Sequence, residues 1–343
     1  MNVEPRKYRF RLYDMSLSRA YDLRLQHAAG TNVNFQVIAS DSGLFGAPVT
    51  TNTLVMSMGE RYEIVVDFSG LAGKNLTMLN AFTAAGTTAF TNTDKVMRFV
   101  VGNSVSDTTN NGVVASTLNA NIDYPTSRTT VDHTFSFQLG GGGARWTING
   151  VPFSDVNNRV LAKPPQGATE LWELRHAGGP AVHPVHIHLV NMQIISRTGG
   201  RGSVLPYESA GLKDTVQLQP GETVRVLALY GPWDGLYMFH CHNLIHEDNA
   251  MMAAFNVTLL TELGYTESSF NDPLDARFKA KPYKAAAFKL ANKKKAVNKL
   301  AALNPYASAS KLIAAADAHY AATPLAGEKR TAPPVARATA FVA

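Results

Sequence analysis

The chain's one cysteine, Cys241, lies in His240-Cys241-His242-Asn243-Leu244-Ile245-His246, with a thioether following at Met251. A single cysteine makes no intrachain disulfide, so a thiol flanked by imidazoles points to metal chemistry. Two histidines, a thiolate and a distant methionine are the ligand set of a blue copper electron-transfer centre. A second cluster upstream, His183-Pro184-Val185-His186-Ile187-His188, supplies the remaining imidazoles.

The elements that carry these residues can be read from their neighbours. Leu236 to Phe239 and Ile187 to Val190 are apolar and partly β-branched or aromatic, which predicts buried strands. Side chains alternate faces along a strand, so His240 and His242 share one side and Cys241 takes the other. If the upstream segment is extended, His186 and His188 share a face and His183 lies on the opposite one. One face then gathers Cys241, His183, His246 and Met251, and the other gathers His186, His188, His240 and His242. Cys241 is covalently adjacent to His240 and His242, so the two sites are joined through bonds, as an electron path requires.

These segments resemble the last cupredoxin domain of the multicopper oxidases. That family carries a His-Pro-X-His-X-His motif and a His-Cys-His motif with a further histidine five residues after the cysteine, and this chain matches both. The runs GLYMFHCHNLIHEDNAMMAAFNVT and RTGGRGSVLPYESAGLKD resemble those of fungal bilirubin oxidases in particular. The resemblance implies that His183, Cys241 and His246 bind a type 1 copper with Met251 as axial ligand. It implies His186 as a ligand of the type 2 copper, His188, His240 and His242 as ligands of the type 3 pair, and Glu247 as an acid that helps deliver protons to oxygen. It also implies that His183 is the type 1 ligand exposed to the electron donor. Ala181 departs from the pattern, because the best-known bilirubin oxidases carry a tryptophan there.

The family's oxygen-reducing cluster uses eight histidines, four of them from two His-X-His pairs in a first domain. The ten histidines of this chain include no His-X-His pair outside the two motifs, so half of that cluster is expected to be missing. The resemblance covers roughly residues 2–285 and aligns them with the family's second and third cupredoxin domains. A missing N-terminal cupredoxin domain is therefore an expected partner, with O2 and a small aromatic or tetrapyrrole donor as substrates. The start of the chain has no basic segment followed by an apolar stretch and cleavage site, so no signal peptide is expected here, although the family is extracellular.

At 343 residues and 45% hydrophobic content the chain suits about two packed domains. Alternating runs such as Tyr62 to Phe68, Met97 to Val101, Phe135 to Phe137 and Val224 to Leu227 predict an all-β chain of two cupredoxin-like Greek-key sandwiches. The expected division is a ligand-free domain at 1–103, a linker at 104–128, a copper-binding domain at 129–262 and a tail at 263–343. From Leu263 onward 13 Lys or Arg stand against 5 Asp or Glu, leaving 19 against 21 before it, so the net charge of +6 belongs to the tail. That tail is rich in alanine and lysine, with a helix expected over Lys284 to Leu303 around Lys293-Lys294-Lys295 and a disordered end. A charge run of this kind is ordinarily a solvated face, so no nucleic-acid partner is expected. No run approaches the roughly 20 apolar residues of a membrane span.

A histidine outside such motifs is ordinarily structural, and His27, His133, His176 and His319 receive no role. Met192, Met238 and Met252 read as core filler. Zinc also suits histidine and cysteine, but Met251 and the mirrored histidine pair favour copper. Two functions fit. One is an oxidase that takes single electrons from phenolic or bilirubin-like donors and reduces O2 to water. The other is a copper-binding or electron-transfer fragment without oxygen reduction.

Overall fold

The computed structural model describes residues 1–27, 30–81, 92–140, 145–258, 286, 289–302, 314 and 318. Its strands form four sheets that pair into two sandwiches. In the first sandwich a four-stranded sheet runs Lys7–Tyr13, Arg61–Asp67, Phe35–Ser40, Gly43–Thr51. It faces a six-stranded sheet that includes Tyr21–His27, Asn75–Asn80 and Lys95–Val101. Period-two patterning explains the packing: along Arg61–Asp67 the residues Tyr62, Ile64 and Val66 are buried while their neighbours are not. The strands read from the sequence at Tyr62 to Phe68, Met97 to Val101, Phe135 to Phe137 and Val224 to Leu227 all appear, with ends shifted by a few residues.

The second sandwich carries the histidine motifs. One five-stranded sheet runs Trp146–Ile148, Val131–Leu139, Ala168–His176, Thr223–Tyr230, Met192–Thr198. The other runs Val160–Ala162, Met252–Val257, Gly235–Cys241, His183–Ile187, Thr215–Leu218. Between them Trp172, fully buried, packs on Phe135, Tyr230, Phe239 and Phe255 with ring centroids 4.8 to 5.5 Å apart. Removing a ring of that size from such a core costs roughly 3–5 kcal/mol.

The two sandwiches have separate cores but lie in one compact unit spanning Met1–Leu259. Their seam is built from charges as well as apolar groups. Lys213, fully buried, reaches Asp41 Oδ2 at 3.0 Å, Glu60 Oε1 at 3.2 Å and the Tyr62 hydroxyl at 3.0 Å. Arg61 donates to both carboxylate oxygens of Asp214 at 2.7 and 2.6 Å. Tyr207, on the short helix Pro206–Ser209, enters the core of the first sandwich, and its hydroxyl accepts from Val55 N at 2.8 Å. Residues 104–128 contain no strand; Leu118 packs on the first core, and its N–H donates to Gly46 O at 2.9 Å.

Residues 260–266 and 271–343 form a second unit. Within it the helix Leu290–Ala302 carries the lysine cluster on an exposed surface, a shorter helix than the one expected from the sequence. The end expected to be disordered lies outside the described residues apart from helical positions 314 and 318. No described helix is long and apolar enough to cross a membrane.

Candidate metal centre

Gly235–Cys241 and His183–Ile187 pair antiparallel, with Val185 opposite Cys241 and His186 opposite His240. Register therefore decides the chemistry, because a one-residue slip would exchange the faces of every ligand. The observed register brings Cys241 Sγ to 3.6 Å from Nδ1 of both His183 and His246, and those two nitrogens to 3.1 Å from each other. Metal–nitrogen and metal–sulfur bonds of roughly 2.0–2.3 Å place neighbouring ligands about 3–4 Å apart, so this triangle fits a single metal ion.

His246 reaches the triangle from the helical turn Leu244–Glu247, started by Asn243, whose side chain accepts from Ile245 N at 3.2 Å. Met251 is fully buried and tied back through its main chain: Cys241 N donates to Met251 O at 3.1 Å, and Met251 N donates to His246 O at 3.0 Å. Burial sets the protonation of the group. It holds His183 well below the ordinary histidine range, helped by His176 and His246, brings His246 down to about 4, and pushes the Cys241 thiol up. The imidazoles are thus neutral and ready to ligate. The thiol would lose its proton only to a bound cation, which couples metal uptake to proton release.

On the opposite face, ring nitrogens of His186, His188 and His240 lie within 4.8 Å of one another. His188 Nε2 is 3.3 Å from His240 Nε2. His242 stands at the edge of this group, its ring centroid 5.6 Å from that of His240 and 6.0 Å from that of His186. His188 and His242 lie just beyond the strands, which end at Ile187 and Cys241, so the strand expected through Val190 is shorter than its apolar run suggested. Leu189, with φ 69°, turns the chain there. His242 is placed by its N–H, which donates to Pro184 O at 2.6 Å, and by the first sandwich: a Cβ on Gly59, at φ +85°, would meet its ring at 2.7 Å.

Further contacts orient these rings. His186 Nδ1 meets Asp214 O at 2.9 Å, and Asp214 is clamped by Arg61, which holds its carboxyl below the usual range against the effect of burial. Glu247, half buried, brings Oε2 to 3.3 Å from His240 Nδ1. Burial raises its pKa, but the His240 contact and the neighbouring imidazoles outweigh that and lower it. Burial brings His188 down to about 4.

One expectation is corrected. His183 is fully buried, not exposed toward a donor. His176 stacks on it with centroids 4.4 Å apart, fixed by a 2.6 Å contact from its Nε2 to Ala181 O, and Trp146 sits edge-on at 5.4 Å. Neither covering ring was found from the sequence. Both belong to other strands, and only the alternation of Ala168–His176, which turns His176 inward at its end, could have signalled one of them.

Comparison with known proteins follows the same lines. The sequence profile described as "Multicopper oxidase" matches residues 123–259. The bilirubin oxidase of Albifimbria verrucaria is 48% identical over 295 residues, covering 84% of this chain and 51% of the relative. A laccase of Haloferax volcanii is 34% identical over 269 residues, covering 75% and 45%. The crystal structure of the McoA multicopper oxidase from Aquifex aeolicus superposes with a TM-score of 0.63 at 28% identity, covering 75% of this chain and 57% of that one. The chain spans about half the length of the curated relatives it matches. With the His/Cys triangle and the His triad back to back on one sheet, in the register those motifs demand, the chain belongs to the multicopper oxidase family.

Proposed function

We propose that this chain is the electron-accepting part of a copper-dependent oxidoreductase that takes single electrons from phenolic or bilirubin-like donors and delivers them to O2. His183, Cys241, His246 and Met251 would hold a type 1 copper. His186 would serve a type 2 copper, and His188, His240 and His242 half of a type 3 pair. Bound there, copper supplies reversible one-electron chemistry with little change of geometry, which suits donors that give up electrons singly. The protein's own residues do the rest. The closed triangle excludes water from Cys241, and the bonds from Cys241 to His240 and His242 link the two faces. Asp214 orients His186, and Glu247, beside His240, is placed to pass protons toward oxygen.

The single observation that carries this reading is the 3.6, 3.6 and 3.1 Å triangle of Cys241, His183 and His246, one covalent step from a second cluster of imidazoles. Reduction of O2 to water needs the remaining histidines from a first cupredoxin domain, on a longer parent or a partner chain. The exposed Met15 and Leu17, on the loop whose Leu17 O accepts from Leu244 N, suit such a contact. The second reading, a copper-binding electron acceptor without oxygen reduction, describes this chain acting alone, and it rests on the absence of a further His-X-His pair.

The test is copper content, visible spectrum and oxygen uptake of the copper-loaded chain. An intense blue thiolate-to-copper band with about one tightly held copper and no oxygen uptake supports the type 1 assignment and the need for a partner. A colourless copper complex would sink it. Oxygen consumption by the chain alone would overturn the requirement for further histidines.

A further inference from the structure

None of the type 1 group is open to solvent: His183, Cys241 and Met251 are fully buried, and His246 is 4% exposed. An electron from an outside donor must therefore cross a covering side chain. Among the described residues, the rings packed on His183 or His246 from outside the group are Phe137, His176 and Trp146. Phe137 and His176 are themselves buried. Trp146 alone is part-exposed while touching both ligands, its ring centroid 3.9 Å from that of His246 and 5.4 Å from that of His183. Its backbone is pinned on the ligand side, with Trp146 N donating to Asn249 O at 3.0 Å inside the Cys241 to Met251 loop.

We propose that Trp146, and not the edge of His183, is the surface on which the reducing substrate docks and through which its electron enters, resting on the type 1 assignment made above. An indole offers a wide, electron-rich face, so planar aromatic donors that stack on it are the substrate class it selects. The donor loses one electron, and a phenolic donor also releases its proton to solvent. The electron crosses the indole to the ring of His246 or His183 and ends by reducing copper(II) to copper(I), leaving Trp146 unchanged.

The experiment uses the copper-loaded full chain without oxygen, mixing it with excess hydroquinone and following the bleaching of the blue band. Trp146→Ala should keep the band and slow bleaching by about tenfold or more, and Trp146→Phe should slow it by a smaller factor. Trp233→Ala, at a 66% exposed tryptophan outside these contacts, should leave the rate unchanged. A readout apart from electron transfer is indole emission. Copper loading should quench the fluorescence of the unaltered chain more than that of Trp146→Phe, whose remaining tryptophans are Trp172 and Trp233. Bleaching of both Trp146 variants within twofold of the unaltered rate overturns the proposal, and so does equal quenching. If Trp146→Ala fails to fold, the Phe variant decides. Absence of a blue band in the unaltered chain would instead overturn the type 1 assignment on which this rests.

Discussion

The two faces of one sheet differ in completeness. On the Cys241 face a single chain supplies every donor, and the rings of His176 and Trp146 close over them. On the His186 face His240 is buried but His186, His188 and His242 are only partly so, and the group opens into a space of about 410 Å³ lined in part by His186, His188, Asp214 and Tyr237. Backbone position is shared, since His240 and Cys241 are neighbours, so the difference comes from what packs above each face. A type 1 site can be finished by one sandwich and its own loops. The other face is left open, and under the function proposed above it is where oxygen would enter and further histidines would be supplied.

The largest expected effect breaks the closed face alone. Cys241→Ser should abolish the blue band and the one tightly held copper, while leaving the weaker copper uptake at His186, His188 and His240 unchanged, as read by copper titration and electron spin resonance. Loss of copper from both faces would show that the two are not separable. Next comes the seam. Lys213→Ala leaves Glu60 buried without its cation and Asp41 with only Arg61, 3.8 Å away, and should cost about 3–5 kcal/mol by denaturant unfolding. A cost below about 1 kcal/mol would show that the seam does not hold the sandwiches together.

Acid should act on both faces of the metal-free chain. His188 and His246 are held near 4 in the fold, against an ordinary value of about 6.5. The unfolded chain therefore binds more protons between those values, and stability should fall as pH drops from about 6.5 to 4; below that the histidine contribution is spent, and protonation of the lowered Asp214 and Glu247 carboxyls should carry the fall further. The contribution of buried His246 has an upper limit on the order of 3 kcal/mol. Copper should oppose the loss because it binds only the neutral rings. A melting temperature that stays flat across that window would refute the burial argument.

Gly59→Ala, which forces a left-handed backbone and crowds His242, should cost about 1–3 kcal/mol and weaken copper only on the open face. The blue band should be spared; its loss would show that the first sandwich supports both sites. The smallest change sharpens the closed face. Met251→Leu, nearly equal in volume, should cost less than about 1.5 kcal/mol, keep the blue colour and raise the reduction potential. An unchanged potential would remove Met251 from the ligand set.

The sorting of the candidate ligands into two groups is legible in the sequence because their spacing is local and strand parity is strict. Cys241 and His240 must face opposite ways in any strand, so the two clusters could be sorted before the fold was known. What surrounds them was not legible. His176 lies seven residues from His183, and Trp146 lies 37 away on another sheet, and neither belongs to a repeating pattern that ties it to a metal. Lys213 reads as an ordinary surface lysine in sequence, and only the approach of Asp41 and Glu60 from the other sandwich makes its burial tolerable. The ends of the strands escaped for a similar reason. Leu189 adopts a conformation unusual for a leucine, and the surrounding fold imposes it where local preference would not.

The segment from Cys241 to Met251 is closed by its own main chain. Cys241 N and Met251 N are both satisfied within it, and Ala250 holds a left-handed φ of 77° with its N–H donating to Glu247 O at 3.0 Å. The ordering cost of that loop is met when the protein folds, not when the metal arrives. Metal capture is then a question of passage past the covering rings, so its rate should follow the opening of the Trp146 and His176 cover while its equilibrium barely notices it. The same cover that protects the thiol would make the site slow to fill and equally slow to empty.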